Sequence, residues 1–215
     1  MARPLSHAEP LALACAGGVI PLVPALEVGD AVRLGAALKA GGLPVAEVTL
    51  RAPGALDVLR TLAADDDLLV GAGTVVRAEQ VDQARDAGAR FVVTPGVSRP
   101  VLERCGELRM PVLPGVATAT EIIAALDHGL ALLKLFPAEA CGGVATLKAF
   151  AGPFPDVRFV PTGGVTAENA ARYLSLPSVA AIGGSWMAAP ALSGDFASVS
   201  RLAAEAVRIA AEVRA

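Results

Sequence analysis

The sequence predicts an α/β protein and, within that class, a (β/α)₈ TIM barrel with an extra N-terminal helix, read as a single domain over residues 1–215. Three observations point there. Short β-leaning runs alternate with Ala/Leu/Arg-rich stretches of helical period. Eight such strand–helix units follow one another without a low-complexity segment or linker. The strand runs are almost continuously hydrophobic, as in a parallel sheet whose faces are both covered. An open doubly wound sheet is the competing arrangement. Against it, no GxGxxG follows the first strand, and no acidic residue stands where a ribose would need one.

Taken in chain order, the first apolar stretch is LALACAG, which could be mistaken for a processed leader. His7, Glu9 and Pro10 interrupt it and Arg3 is its only basic flank, so an amphipathic first helix is the expectation. The strands then read as GVIPLVPAL (18–26), VAEVTL (45–50), LLVGAGT (68–74), FVVTP (91–95), VLPGV (112–116), ALLKLF (131–136), VRFVPT (157–162) and VAAIGG (179–184). Helical stretches between them include DAVRLGAALKAGG, RAEQVDQARDAGA, TATEIIAALDHG and ENAARYLSL. Several close on glycine, which takes the left-handed C-cap conformation without a Cβ penalty.

Composition narrows the function. Hydrophobic residues are 54% and charged residues 18%, enough for a large core and too little charge for a disordered chain. A formal net charge of -3 without charge runs, and 4% aromatics, argue against nucleic acid or an anionic membrane as partner. No apolar run reaches the roughly 20 residues of a membrane helix. Cys15, Cys105 and Cys141 lack paired spacing, which disfavours a disulfide framework or zinc site and suits a reducing cytoplasm. His7 and His128 are isolated, and no residue cluster has metal-ligand spacing.

In a barrel, the reactive face lies at the C-terminal ends of the strands and the loops after them. The unusual residues fall there: Glu47 and Arg51 around the second strand, Thr74 after the third, Pro95 after the fourth, Lys134 and Phe136 on the sixth. Thr162, Gly163 and Gly164 end the seventh, while Gly183, Gly184 and Ser185 end the eighth. Because strand side chains alternate faces, Lys134 and Phe136 point inward with Leu132, while Leu133 and Leu135 point toward the helices. The same parity turns Glu47, Thr49 and Arg51 inward. Lysine is rarely buried unless it is paired or reactive. Two readings follow: a buried Lys–Glu pair that only holds the barrel together, or a Schiff-base lysine with a general base. At about 6 Å and an effective dielectric near 20, an ionised Glu47 would favour the ammonium by roughly 3 kcal/mol. Desolvation by the leucines and Phe136 would oppose it.

The two glycine pairs each precede a helix start, where backbone N–H groups can hold an anion, and loops after the last two barrel strands are a recurrent phosphate site. Thr166 is an expected N-cap. Arg51 is suited to clamp a carboxylate, or else is an ordinary surface ion-pair partner. Lys39 and Lys148 read as solvated helix positions, and Trp186 as packing.

AEVTLR, GAGT, TPG, KLFPAE, AGPFPDVRFVPTGGV and AIGGSW, in this order, resemble the 2-keto-3-deoxy-6-phosphogluconate and 4-hydroxy-2-oxoglutarate aldolases, a bacterial class I aldolase family. The resemblance runs from about residue 10 to the end. It implies a cytoplasmic homotrimer without metal or cofactor, acting on a small phosphorylated keto acid in the Entner–Doudoroff pathway. It implies Lys134 as the Schiff-base residue and Glu47 as general base. Arg51 and Thr74 would contact the substrate carboxylate, with Pro95 and Phe136 as pocket walls. Thr162 would contact substrate and influence stereochemistry, and Gly163, Gly164, Gly184 and Ser185 would cradle phosphate. Some relatives carry an arginine at the end of the first strand, where this chain reads VIPLVPAL; that departure favours the phosphogluconate over the phosphogalactonate branch. Cleavage of 4-hydroxy-2-oxoglutarate and a phosphosugar-binding barrel without lyase activity are the alternatives.

Overall fold

The computed structural model describes residues 8–24 and 26–214. His7 and position 25 of the first predicted strand lie outside them. Strands and helices alternate as expected: α1 (Ala8–Ala16), β1 (Val19–Val23), α2 (Val28–Ala40), β2 (Val45–Thr49), α3 (Ala55–Ala63), β3 (Leu69–Gly73), α4 (Ala78–Asp86), β4 (Phe91–Val93) and α5 (Arg99–Leu108). They continue as β5 (Val112–Leu113), β6 (Gly115–Val116), α6 (Ala119–Asp127), β7 (Leu132–Leu135), α7 (Gly143–Ala151), β8 (Arg158–Phe159), α8 (Ala167–Leu174), β9 (Ile182–Gly184) and α9 (Phe196–Arg214).

Every paired strand is parallel, and the sheet is curled. Its hydrogen-bonded ladders form two pieces, ordered β5-β4-β3-β2-β1-β9 and β6-β7-β8, where the sequence reading had one ring of eight. Proline accounts for the breaks. Pro114 splits the predicted fifth strand into β5 and β6 because it has no N–H for the ladder, although its carbonyl still accepts from Lys134 N–H at 2.8 Å. Pro161 likewise limits the predicted seventh strand to the short β8, with an isolated parallel bridge between Thr162 and Gly183 beyond it.

Side-chain alternation produces two apolar layers. The outward residues Val48, Val70, Val92, Leu133 and Leu135 pack under the helices with Leu34, Leu59, Leu102 and Leu147. On the concave face, Ile20, Val45, Phe91, Val93, Leu113 and Val160 form a second cluster with Leu11, Ala14 and Cys15 of α1. The first helix thus plugs the N-terminal end of the curled sheet. It is not amphipathic in the expected sense, because Leu13 on its outward side is apolar and 60% exposed. Phe91 lies so close over β3 that a Cβ at Gly71 would stand 2.2 Å from its ring.

Helix ends follow their local signals. Thr118 and Glu121 form a capping box at α6, and Asn169 accepts from Thr166 N–H at the start of α8. Gly42, Gly88 and Gly129 take positive φ after α2, α4 and α6, and the next residue's N–H reaches back to Leu38, Ala84 and Ala125. Arg109 fills the same left-handed position after α5, with Met110 N–H bonded to the Cys105 carbonyl at 2.8 Å. Among the described residues, no helix is long and apolar enough to cross a membrane.

If α1 is an integral plug, Leu11→Ala lowers unfolding free energy by about 2–5 kcal/mol, as for other buried leucines. Leu13→Ala, on the same helix, should change it by less than about 0.5 kcal/mol. Urea denaturation of the two variants checks the contrast.

Candidate active site

The buried polar side chains among the described residues are Glu47, Thr49, Gln80, Thr94, Lys134 and Thr162. They gather at the C-terminal ends of the strands or hold a loop there. Buried polar groups need partners, so their sorting to one end marks where the sheet interior stops being purely hydrocarbon.

At the centre, Lys134 Nζ meets Glu47 Oε1 at 3.2 Å, with the residues 4% and 2% exposed. They touch, closer than the 6 Å separation considered from sequence. Inward parity on β2 and β7 brings the chains together, and β3 makes room: a Cβ at Gly73 would lie 2.3 Å from Glu47 Oε1. The Phe136 ring centroid is 5.3 Å from Nζ, a cation–π approach that shields the amine from water. An amine and a carboxylate in contact, mostly out of water, can exchange a proton and present either a nucleophile or a base to a bound carbonyl compound.

The rim is assembled by short-range bonds. Arg51 follows the end of β2, exposed, and its Nε lies 3.4 Å from the Thr49 hydroxyl. Thr74 sits at φ 57, a left-handed conformation that costs energy for a β-branched residue and tends to mark functional sites. Its loop is held by Val75 N–H on the Val93 carbonyl and by Gln80 Oε1, which accepts from Val76 and Arg77 N–H. Pro95 lies against β6, where a Cβ at Gly115 would come within 2.3 Å of its carbonyl carbon. Thr94 locks that turn by donating to the Gly96 carbonyl at 2.7 Å and accepting from Gly115 N–H at 3.2 Å. Gly115 is also the register partner of Lys134, so Pro95 and the amine share a neighbour.

On the other side, Thr162 is buried with its hydroxyl against Gly183, where a Cβ would stand 2.2 Å from Oγ1. Gly163 and Gly164 follow at φ 98 and 79, a succession open in practice only to glycine. Gly184 lies under the Trp186 ring and Ser185 is exposed beside it. Trp186 is packing, as its sequence context suggested. The eleven residues singled out from sequence therefore occupy one end of the sheet. Sequence reasoning missed Gln80, Thr94, Glu139 and Tyr173. Thr94 could have been found from TPG, whereas Gln80 and Tyr173 read as ordinary helix positions.

Tyr173, fully buried on α8, donates its hydroxyl to Glu139 Oε1. Burial first, and then that hydrogen bond, push the phenol well above its ordinary range, so it remains a donor. A cavity of about 680 Å³ lies at the opposite end beside α1, Arg158 and Arg214. Its Cys15 thiol is pushed up to about 11 by burial, and no buried acid–base pair lines it. Among the described residues, no group of three or more His, Cys, Asp or Glu side chains is gathered for a metal.

The fold has counterparts among known proteins. A family model for KDPG and KHG aldolase matches residues 13–202. A 2-dehydro-3-deoxy-phosphogluconate aldolase of Pseudomonas aeruginosa is 46% identical over 199 residues, covering 91% of this chain and 90% of the relative. The crystal structure of the 2-keto-3-deoxy-6-phosphogluconate aldolase of Zymomonas mobilis ZM4 with 3-phosphoglycerate superposes with a TM-score of 0.89 at 41% identity, covering 93% of this chain and 95% of that one. A KDPG aldolase from Legionella pneumophila, with pyruvate captured as a covalent carbinolamine intermediate, gives 0.88 at 40% identity, covering 92% and 97%.

Removing one member of the buried pair leaves the other charge uncompensated. Lys134→Met should therefore cost about 3–5 kcal/mol, while the double variant Lys134→Met/Glu47→Leu regains most of that loss. Denaturant midpoints of both variants test this independently of any activity.

Proposed function

The chain belongs to the KDPG and KHG aldolase family, and from that premise we propose that it is a class I aldolase cleaving 2-dehydro-3-deoxy-6-phosphogluconate to pyruvate and glyceraldehyde 3-phosphate. The observation that carries the reading is the water-poor contact between Lys134 Nζ and Glu47, ringed by glycine loops at the strand ends.

Attack on a ketone requires the neutral amine, and Glu47 at 3.2 Å is within reach of the ammonium proton. Lys134 Nζ adds to C2 of the substrate, Glu47 returns the proton to the departing hydroxyl, and loss of water gives a protonated imine with Glu47 again a carboxylate. Glu47, directly or through a water, takes the C4 hydroxyl proton. The C3–C4 bond breaks, its electron pair moves toward the imine nitrogen, and glyceraldehyde 3-phosphate leaves. The enamine of pyruvate is then protonated at C3, and hydrolysis returns the free lysine and pyruvate.

Arg51 and Thr74 serve the carboxylate end of the substrate, Pro95 and Phe136 wall the reacting carbons, and Thr162 contacts substrate near the new aldehyde. Gly163, Gly164, Gly184 and Ser185 hold the phosphate through N–H groups and a hydroxyl. A remote phosphate held there orients the reacting carbons and turns binding energy into rate.

The wider architecture follows the same reading. Residues 1–215 form one domain, and the two ladders are arcs of a single (β/α)₈ barrel. Supporting closure, only Pro114 separates β5 from β6, and the Thr162–Gly183 bridge links the segment after β8 to β9. The enzyme works in the cytoplasm, in the Entner–Doudoroff pathway, as a homotrimer.

Borohydride reduction in the presence of pyruvate, with peptide mapping, tests the covalent step. The chain has three lysines, so the adduct is easily assigned. It is expected on Lys134; labelling of Lys39 or Lys148 instead would overturn the assignment. Glu47→Gln should lower kcat by about 10²–10⁴-fold, the range for a lost general base.

A further inference from the structure

Glu139 and Tyr173 take no part in the chemistry above, yet they join the two halves of the site. The turn after Phe136 runs against the loop after β8: Ala138 N–H donates to the Thr162 carbonyl at 2.8 Å, and Glu139 N–H to that of Gly163 at 3.1 Å. The Glu139 side chain then passes over Gly164, where a Cβ would stand 2.6 Å from its Cγ. Its carboxylate ends on the hydroxyl of Tyr173, the chain's only tyrosine. Gly143, at φ 56, gives the pair room: a Cβ there would lie 2.7 Å from the Tyr173 hydroxyl and 3.1 Å from Glu139 Oε1. One turn earlier on α8, Asn169 Nδ2 donates to the Gly164 carbonyl at 3.0 Å. The carbonyls of Thr162, Gly163 and Gly164 are therefore all clamped. In a planar trans peptide the N–H points opposite to the C=O. The N–H groups of Gly163, Gly164 and Val165 are thus turned away from their clamps.

We propose that Glu139 and Tyr173 are positioning residues that fix the Gly163–Gly164 anion cradle relative to Lys134, and so set the preference for a phosphorylated over a non-phosphorylated keto acid. The inference rests on the aldolase reading but goes beyond it. From Lys134 a short stretch of chain, Leu135-Phe136-Pro137-Ala138-Glu139, leads to the hydrogen bonds that hold the loop, and its last residue is pinned to α8 by the Tyr173 hydroxyl. Releasing that pin leaves amine and base untouched while letting the cradle drift. Small misplacements of a bound group cost up to about 10²-fold in rate.

The test compares cleavage of 2-dehydro-3-deoxy-6-phosphogluconate with that of 4-hydroxy-2-oxoglutarate, which has no phosphate, in wild type, Tyr173→Phe, Glu139→Ala and Glu139→Gln. Tyr173→Phe and Glu139→Ala should lower kcat/KM for the phosphorylated substrate by about tenfold or more, with the other substrate within about twofold. Glu139→Gln retains an acceptor for the tyrosine and should restore most of the preference. Affinity for inorganic phosphate should weaken in the same two variants, read from the emission of Trp186, the only tryptophan, which packs on Gly184. Equal losses on both substrates, or an unchanged preference with unchanged phosphate affinity, would overturn the proposal. Should Tyr173→Phe not fold, Glu139→Ala on the exposed turn decides the question. Failure of wild type to trap pyruvate would sink the aldolase reading instead, and phosphate binding still reports on the cradle.

Discussion

Two opposite charges in contact, largely removed from water, govern the design of this molecule. Each ion loses several kcal/mol of hydration when buried, and mutual attraction seldom exceeds the combined penalty. The Lys134–Glu47 pair is therefore a poor choice for holding strands together, a task that Val, Ile and Leu perform elsewhere in the same sheet. Its neighbours are what such a pair requires. Gly73 lets the carboxylate lean across β3, Phe136 offers a π-face to the ammonium, and the buried hydroxyls of Thr49, Thr94 and Thr162 lie at or just past the C-terminal ends of β2, β4 and β8. Hydrocarbon above Glu47 or a Cβ on β3 would expel the pair. The strand ends are accordingly rich in glycine and threonine, and the strand bodies in valine and leucine.

That gradient along each strand divides the labour of the fold. Toward the N-terminal ends, the concave face is filled by Ile20, Val45, Phe91 and Val160 and closed by α1. A packed hydrocarbon plug is nearly incompressible, so the polar end rests on a floor that does not yield when a ligand pulls on the rim. At that rim Thr74 holds the left-handed region, and Gly163 and Gly164 take positive φ in the loop after β8. Gln80 and Asn169, each in the first turn of a helix, accept from or donate to the strained loops and keep them in place.

Much of this was legible in the chain itself. Period-two alternation in VAEVTL and ALLKLF was sufficient to turn Glu47 and Lys134 to the same side, and the glycine pairs read from sequence fall just after β8 and at the end of β9. What escaped has a common physical origin. Pattern reads direction but not distance, so the pair was placed further apart than the contact observed. Proline in VLPGV and VRFVPT was visible, yet its effect on the ladder depends on which edge its missing N–H would have served. Tyr173 and Gln80 lie on helices whose sequence reports only burial period. The partner of Tyr173 lies thirty-four residues away and is chosen by how a loop folds back, whereas Gln80, in the first turn of α4, accepts from N–H groups only three and four residues earlier, a capping pattern that lacked its usual Ser or Thr.

Lys134 on β7 and the Gly163–Gly164 loop after β8 stand on adjoining strands, and this has a mechanical consequence. β7 and β8 pair directly, Leu132 opposite Arg158 and Leu133 opposite Phe159, so the distance between their ends is set by a ladder rather than by a flexible loop. Past those paired residues, the Val160 and Thr162 N–H groups still donate to the Leu133 and Leu135 carbonyls, and the Ala138 and Glu139 N–H groups then donate to the Thr162 and Gly163 carbonyls. Backbone bonds thus extend the rigid frame past the end of the sheet, and the glutamate–tyrosine contact ties its far end to α8. A reaction that breaks one carbon–carbon bond between an imine and a phosphate-bearing fragment needs both ends of the substrate held at once. On the proposed reading, placing the amine and the phosphate-holding loop on one continuous hydrogen-bonded frame would convert phosphate affinity into alignment of the bond that breaks.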